Sequence, residues 1–210
     1  MKRLLLIGDG SSEDGSWRKH HITSTPILRE SDWGVVHVLL SRTLRELHGR
    51  DDFTWNRPLP MQKGGPTCAG SLVHFLRGAH HFNIPMFGLY SGREDKAHWV
   101  DAAILVPDAE DDDPDEIKRS VLGAASKSLA VPEIIVGIKE PCVESWLLCR
   151  NRVGLGSRVR EELKKEVRLK WGEGLAGARS LDVKQLVNEC SDFRKLIAEI
   201  LELWKLGDRR

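Results

Sequence analysis

Carboxylates recur in this chain just beyond apolar runs, and that placement is what could do chemistry. Asp9 and Glu13 follow Leu4-Leu5-Leu6-Ile7. Asp108 and Glu110 follow Ala102-Ala103-Ile104-Leu105-Val106, in a stretch where seven of the nine residues from Asp108 to Glu116 are acidic. Glu144 follows Ile134-Ile135-Val136-Gly137-Ile138 and sits among Val143, Trp146, Leu147 and Leu148. Short apolar runs of this kind read as buried strands. If the three strands are parallel, they end on one edge of a sheet and their acids converge there. Converging carboxylates repel unless a cation offsets them. Hard oxygen ligands suit Mg²⁺ or Mn²⁺.

Each element also has a plainer reading. Gly8-Asp9-Gly10-Ser11-Ser12-Glu13 could be a sharp turn with a helix cap, or a phosphate-cradling turn. It is neither a Walker A loop nor a dinucleotide fingerprint, because Gly-Lys-Ser/Thr and the third glycine are absent. The run after Asp108 could be a solvated acidic loop. Within it, Asp113 reads as an N-cap before Pro114, with Asp115 and Glu116 in the first turn. Alternation puts Asp108 and Glu110 on one side if the strand extends that far. Glu144 either lies on an exposed helical stripe or needs a partner among its apolar neighbours. Lys139 reads as a phosphate contact or a surface lysine.

The remaining elements come from periodicity. Helices are expected over Val35–Leu47, stopped by His48-Gly49, over Thr67–Phe82, from Pro114 to Ala130, and over Val143–Cys149. Strands are expected over 3–7, 84–90, 102–106 and 133–138. Residues 50–66, with Pro58, Pro60, Gly64, Gly65 and Pro66, read as an exposed loop. Beyond a Gly- and Ala-rich stretch at 172–180, helices are expected over Val183–Glu189 and Ser191–Leu206. The last buries Phe193, Leu196, Ile197, Ile200, Leu201 and Trp204. Strands alternating with helices imply an α/β fold with a mostly parallel sheet.

The chain has 210 residues, 40% hydrophobic and 30% charged, with a formal net charge of +1. Nothing here pulls the molecule globally toward nucleic acid, so such binding needs a local basic face. Arg18 and Lys19, close to the first motif, are candidates. Arg150, Arg152, Arg158, Arg160, Lys164, Lys165 and Arg168 form a second basic stretch, interleaved with Glu161, Glu162 and Glu166 as in an ordinary solvated helix. No run approaches a membrane span, and the apolar run after Met1-Lys2-Arg3 is too short for a signal peptide. Four cysteines without CxxC spacing suit a reducing cytoplasm better than a disulfide framework or a zinc site.

The order of motifs, an apolar strand with Asp-Gly-x-Ser-Glu, then a strand with Asp-x-Glu, then Glu-x-Trp-Leu-Leu, resembles the Toprim fold. In particular it is similar to compact Toprim-like proteins related to OLD-type nucleases, found beside ABC-type ATPases in bacterial defence loci. The resemblance covers roughly residues 3–150; Ser191-Asp192-Phe193-Arg194 is similar too. It implies a Toprim-like sheet flanked by helices over 1–152, with a helical C-terminal extension over 153–210 packed on it. It further implies metal-dependent phosphodiester hydrolysis in DNA or RNA, as an effector of anti-phage defence.

On the matching positions, Asp9, Glu13, Asp108, Glu110 and Glu144 would be catalytic. Asp9, Asp108 and Glu110 would hold Mg²⁺ or Mn²⁺, and Lys139, Arg18 and Lys19 would meet nucleic acid. An ABC-type ATPase subunit and a second copy of the chain are candidate partners. Two positions depart from the pattern. Asp9 is one methylene shorter than the usual Glu, and Glu110 one longer than the usual Asp. Those exchanges support an alternative, a Toprim-fold subunit that binds an ATPase or nucleic acid without cutting. Topoisomerase chemistry is disfavoured because only Tyr90 could serve as the tyrosine nucleophile and its surroundings in the sequence do not suggest that role. An aspartyl phosphohydrolase is disfavoured because Asp9-Gly10-Ser11 lacks the second Asp.

Overall fold

A computed structural model describes residues 1–8, 27–56, 100–109, 112–128, 132–150 and 157–207. Its centre is an all-parallel sheet of β1 (Lys2–Gly8), β2 (Phe53–Asn56), β3 (Ala102–Val106) and β4 (Glu133–Val136), in the order β2-β1-β3-β4. Because β1 lies between β2 and β3, the winding direction reverses beside β1. In open α/β sheets the crevice for a ligand lies at such a point, outside the carboxyl ends of the strands. Gly8 is in register with Val106 there.

Strand alternation divides the core in two. Leu4, Leu6, Ala102, Ile104, Val106 and Ile135 face one way, and Leu5, Ile7, Ala103, Leu105 and Val136 the other. The second face is covered by α2 (Pro114–Ser128) through Ile117, Val121 and Ala125. The first carries a thicker layer: α1 (Val35–His48), α3 (Val143–Leu147), α4 (Ser157–Trp171), α5 (Gly174–Ser180), α6 (Val183–Glu189) and α7 (Ser191–Gly207). The chain is thus α/β, with a parallel sheet between helical layers and a helical C-terminal segment.

Local signals hold at several ends. Asp113 Oδ1 accepts from Asp115 N at 2.9 Å, capping α2. Gly49, at φ 58°, closes α1 with its N–H on Arg45 O, the single bond of an αL cap. Asp182 caps α6 by accepting from Lys184 N and Gln185 N. The Gly- and Ala-rich stretch folds as α5, packed on α1.

One expectation is overturned. Residues 53–56 are not exposed loop but strand β2, with Phe53, Trp55 and Asn56 buried. The Pro and Gly turn formers of that stretch all lie at 58–66, past the end of the strand. Phe53-Thr54-Trp55 carries its own period-2 pattern, and pairing with Lys2–Leu5 supplies partners for its backbone. The helix expected at 67–82 and the strand at 84–90 lie outside the described residues.

Sheet and helical segment approach one another closely at Gly137. A Cβ there would stand 2.7 Å from Leu196 Cδ2 of α7, and Leu196 is itself buried. Glycine therefore lets α7 lie directly on the end of β4.

His37 of α1 is almost fully buried, edge-on to Trp55 with ring centroids 5.0 Å apart. Burial lowers its pKa from 6.5 to about 3. Above pH 6.5 the ring is neutral both folded and unfolded. As pH falls from 6.5 toward 3, the unfolded chain alone takes up the proton, so stability drops by about 1.4 kcal/mol per unit. Urea melts at pH 6.5 and pH 5 should show wild type losing about 2 kcal/mol more than His37→Phe. Equal losses in the two proteins would refute this.

Candidate active site at the carboxyl edge of the sheet

The β3–β4 ladder does not stop where the strands formally end. Gly137 N donates to Leu105 O, Lys139 N to Pro107 O and Ala109 N to Lys139 O, at 2.9, 3.0 and 2.9 Å. This bridge pairs Asp108 with Lys139. Parity then sets the faces. Asp108 continues the series Ala102, Ile104, Val106, and Lys139 continues Ile135, Gly137, so both belong to the face covered by the C-terminal helices.

Lys139 is fully buried, and Asp108 is 7% exposed. The lysine Nζ lies 2.9 Å from Asp108 Oδ1. Arg160, from the first turn of α4, brings Nη2 to 3.5 Å from Asp108 Oδ2. Lys139 is therefore neither a surface lysine nor placed to meet nucleic acid directly, since it has no exposed surface. It is the internal counter-ion of Asp108. Without such a partner, neither charge could be held out of water.

Glu144 stands in the first turn of α3, half-buried. Cys142, two positions before Glu144, is a buried thiol. Burial first, then the negative charges of Glu144 and Asp108, push that thiol up to about 12. Cys142 is thus a neutral thiol at physiological pH, with no thiolate to act as a nucleophile.

The turn that carries Glu144 is held from a distance. Asp192, at the start of α7, accepts from Trp146 Nε1 at 2.6 Å and from Glu140 N at 3.3 Å. Phe193 meets Trp146 edge-on, centroids 4.9 Å apart. Burial raises the Asp192 carboxyl above its usual range, against the opposing pull of these donors. The Glu-x-Trp-Leu-Leu and Ser-Asp-Phe-Arg segments are therefore one tertiary unit.

A cleft of about 550 Å³ opens beside Glu144, walled by Trp33, Gly34, Lys164, Arg168 and Glu173. It has charges of both signs, and it gives Glu144 access to solvent.

Asp9, Glu13, Glu110, Arg18 and Lys19 lie outside the described residues. Among the described residues, no three His, Cys, Asp or Glu side chains are grouped to hold a metal ion. In ligand type, Asp108 and Glu144 suit a hard cation such as Mg²⁺ or Mn²⁺, both being carboxylates. Cys142, Asp192 and Arg160 were given no role at the site from the sequence, although Arg160 lies in the second basic stretch and Asp192 in the Ser-Asp-Phe-Arg segment. Arg160 had a signal: it lies three and seven positions before Leu163 and Val167, the buried stripe of α4. Asp192 had only its place in a first turn, and nothing local could name its partner.

No family model matches the chain, and neither a curated protein nor a solved structure shows significant similarity to it.

Two stability experiments test this geometry. Lys139→Met should cost about 3 kcal/mol by stranding a buried carboxylate. Adding Asp108→Asn should recover at least half of that; a double variant no more stable than the single one would mean the pair is not coupled. At the other end of the site, Asp192→Ala should cost about 1–3 kcal/mol by leaving the Trp146 indole N–H unmet. Asp192→Asn keeps an acceptor and should lose much less in the same thermal melts.

Proposed function

We propose that this chain is a metal-dependent nuclease that hydrolyses phosphodiester bonds in DNA or RNA. The observation that carries the reading is the placing of Asp108 just past the carboxyl end of β3, and of Glu144 in the helix that follows β4, at the carboxyl edge of a parallel sheet where the winding reverses. Carboxylates at that edge suit a hard cation and a phosphate ester better than they suit acyl or redox chemistry. The order of acidic motifs along the chain supports the same reading by resemblance to Toprim-like nucleases.

In this reading Asp9, Asp108 and Glu110 would hold Mg²⁺ or Mn²⁺, with Glu13 and Glu144 on a second ion or a bound water. Such an ion, when bound, neutralises charge on a phosphate and lowers the pKa of a water. The chain's own contribution is positional. Lys139 fixes one oxygen of Asp108, the Asp192–Trp146 bond fixes the turn of Glu144, and the cleft beside Glu144 admits solvent to it. Arg18 and Lys19 are proposed contacts for nucleic acid. An ABC-type ATPase subunit, an anti-phage role and a cytoplasmic setting are proposed on the resemblance alone. No helix among the described residues is long and apolar enough to cross a membrane.

A second reading is a Toprim-fold subunit that binds an ATPase or nucleic acid without cutting it. It is favoured by the two cations on Asp108, which by themselves offset its charge. Incubating plasmid and single-stranded substrates with Mg²⁺ or Mn²⁺ separates the readings. Wild type should cut, and Asp108→Ala and Glu144→Ala should each lower the rate by about 100-fold or more, as loss of one charge-stabilising group does elsewhere. Cutting that survives both substitutions would remove this site from the mechanism. No cutting by wild type, alone or with its ATPase, would favour the non-catalytic reading.

A further inference from the structure

We propose that the cleft beside Glu144 takes one unpaired nucleotide of a single strand, with its phosphate on Arg168 and Lys164 and its hydrogen-bond donors toward Glu173. That the nucleotide belongs to a strand to be cut rests on the nuclease reading given above; its seat in the cleft requires no metal ion. The cleft lies at the carboxyl edge of the sheet. α1 runs away from that edge, because β2 starts shortly after α1 ends, and Gly34 and Val35 at the start of α1 line the cleft. The volume of about 550 Å³ lies within the roughly 300–1,000 Å³ of ligand clefts, a size that suits one nucleotide rather than a base pair. Val35, Leu147 and Val167, buried in the lining, give a base an apolar surface.

The charges of the lining are sorted by element. Lys164 and Arg168 stand one turn apart on α4 and so share a helix face. The carboxylates come from elsewhere: Asp32 before α1, Glu144 on α3 and Glu173 at the start of α5. Among the described residues, Arg168, Glu144 and Glu173 enter no ion pair, while Lys164 pairs with Glu161 at the exposed surface. Carboxylates outnumber cations here, so a bare anion is not what the cleft selects. It favours a ligand that carries an anionic group together with neutral donors, since donors to a carboxylate form charge-assisted bonds. A nucleotide has that pattern, in its phosphate, its sugar hydroxyl and the amino group of adenine, guanine or cytosine. The planar fork of Arg168 matches phosphate in two parallel hydrogen bonds. Donors in the wall also lack acceptors. Trp33 Nε1 is buried with no hydrogen-bond partner, which is unfavourable until an acceptor reaches it. Gly34 starts α1 without a side-chain cap bond.

The experiment is a calorimetric titration of dAMP, and separately of inorganic phosphate, into the full chain in EDTA. It compares wild type with Arg168→Ala, Glu173→Gln and Lys165→Ala, all at exposed positions of which Lys165 does not line the cleft. Wild type should bind dAMP more tightly than phosphate. Arg168→Ala should weaken dAMP binding about tenfold, the loss of one charged hydrogen-bonding group, and Lys165→Ala should leave it unchanged. Glu173→Gln should shift the two probes in opposite directions: dAMP several-fold weaker, through loss of a charged acceptor, and phosphate about twofold to threefold tighter, through loss of an exposed repelling charge. In cleavage assays a single strand should be cut about tenfold or more faster than the same sequence as a blunt duplex, which must first unpair. There Arg168→Ala should raise KM and leave kcat nearly unchanged, as for a contact made equally in ground and transition states. No dAMP binding, or phosphate bound as tightly as dAMP, overturns the nucleotide assignment. Binding of dAMP that neither Arg168→Ala nor Glu173→Gln alters lies elsewhere and overturns this proposal, whether or not the chain cuts nucleic acid. Binding that responds as expected, in a chain that cuts nothing with Mg²⁺ or Mn²⁺, overturns the nuclease reading and upholds the cleft as a nucleotide site.

Discussion

The ion pair between Asp108 and Lys139 is the constraint around which the functional edge is built. A carboxylate at 7% exposure and a fully buried ammonium are each several kcal/mol worse off than in water when alone. They are tolerable only together, and only if the backbone holds them in contact. The backbone does so by continuing the β3–β4 ladder past Val106 and Val136, through the bridge at 108 and 139. Parallel pairing keeps the two side chains on the same face and side by side. A slip of one residue in either strand would turn one charge toward α2 and the apolar layer of Ile117 and Val121. The pair therefore specifies register as well as occupying the site.

The C-terminal helices are not an accessory to this edge. Asp192 and Phe193 hold Trp146, and Trp146 sets the turn that carries Glu144. Leu196 of the same helix rests on the backbone of Gly137, two residues before Lys139. Arg160 of α4 reaches Asp108 itself. A single hydrophobic cluster runs from Leu4 and Ile104 in the sheet to Phe193, Ile197 and Ile200 in α7. The packing that stabilises the segment after residue 157 and the packing that orients the carboxylates are thus largely the same contacts.

Periodicity and punctuation were strong enough to reveal most of the elements described. The buried strands at 2–8 and 102–106 are apolar throughout their centres, α1 ends on its glycine, and α2 begins on Asp113-Pro114. That Asp108 and Glu144 both follow the carboxyl ends of neighbouring strands was also legible, because acids placed just past apolar runs in a parallel sheet lie toward one edge. Strand β2 was missed because four residues give a weak period and strong turn formers lie immediately after it. The burial of Lys139 was missed because a lysine following an apolar strand is ordinarily at the surface. Its fate depends on an aspartate 31 positions earlier.

The sequence by itself determined the α/β class, the parallel order of strands and helices, and the edge on which the acids lie, since these arise from short-range patterns of apolar and turn residues. Tertiary structure alone decided which charges meet. That Lys139 serves Asp108, that Asp192 serves Trp146, and that Arg160 leaves the charged surface of α4 for the site are matters of contact between residues 31 to 52 positions apart. Charge type and local spacing do not encode such contacts. They arise from the register of β3 on β4 and from the close seat of α7 on Gly137, which bring those side chains within a few ångströms of one another.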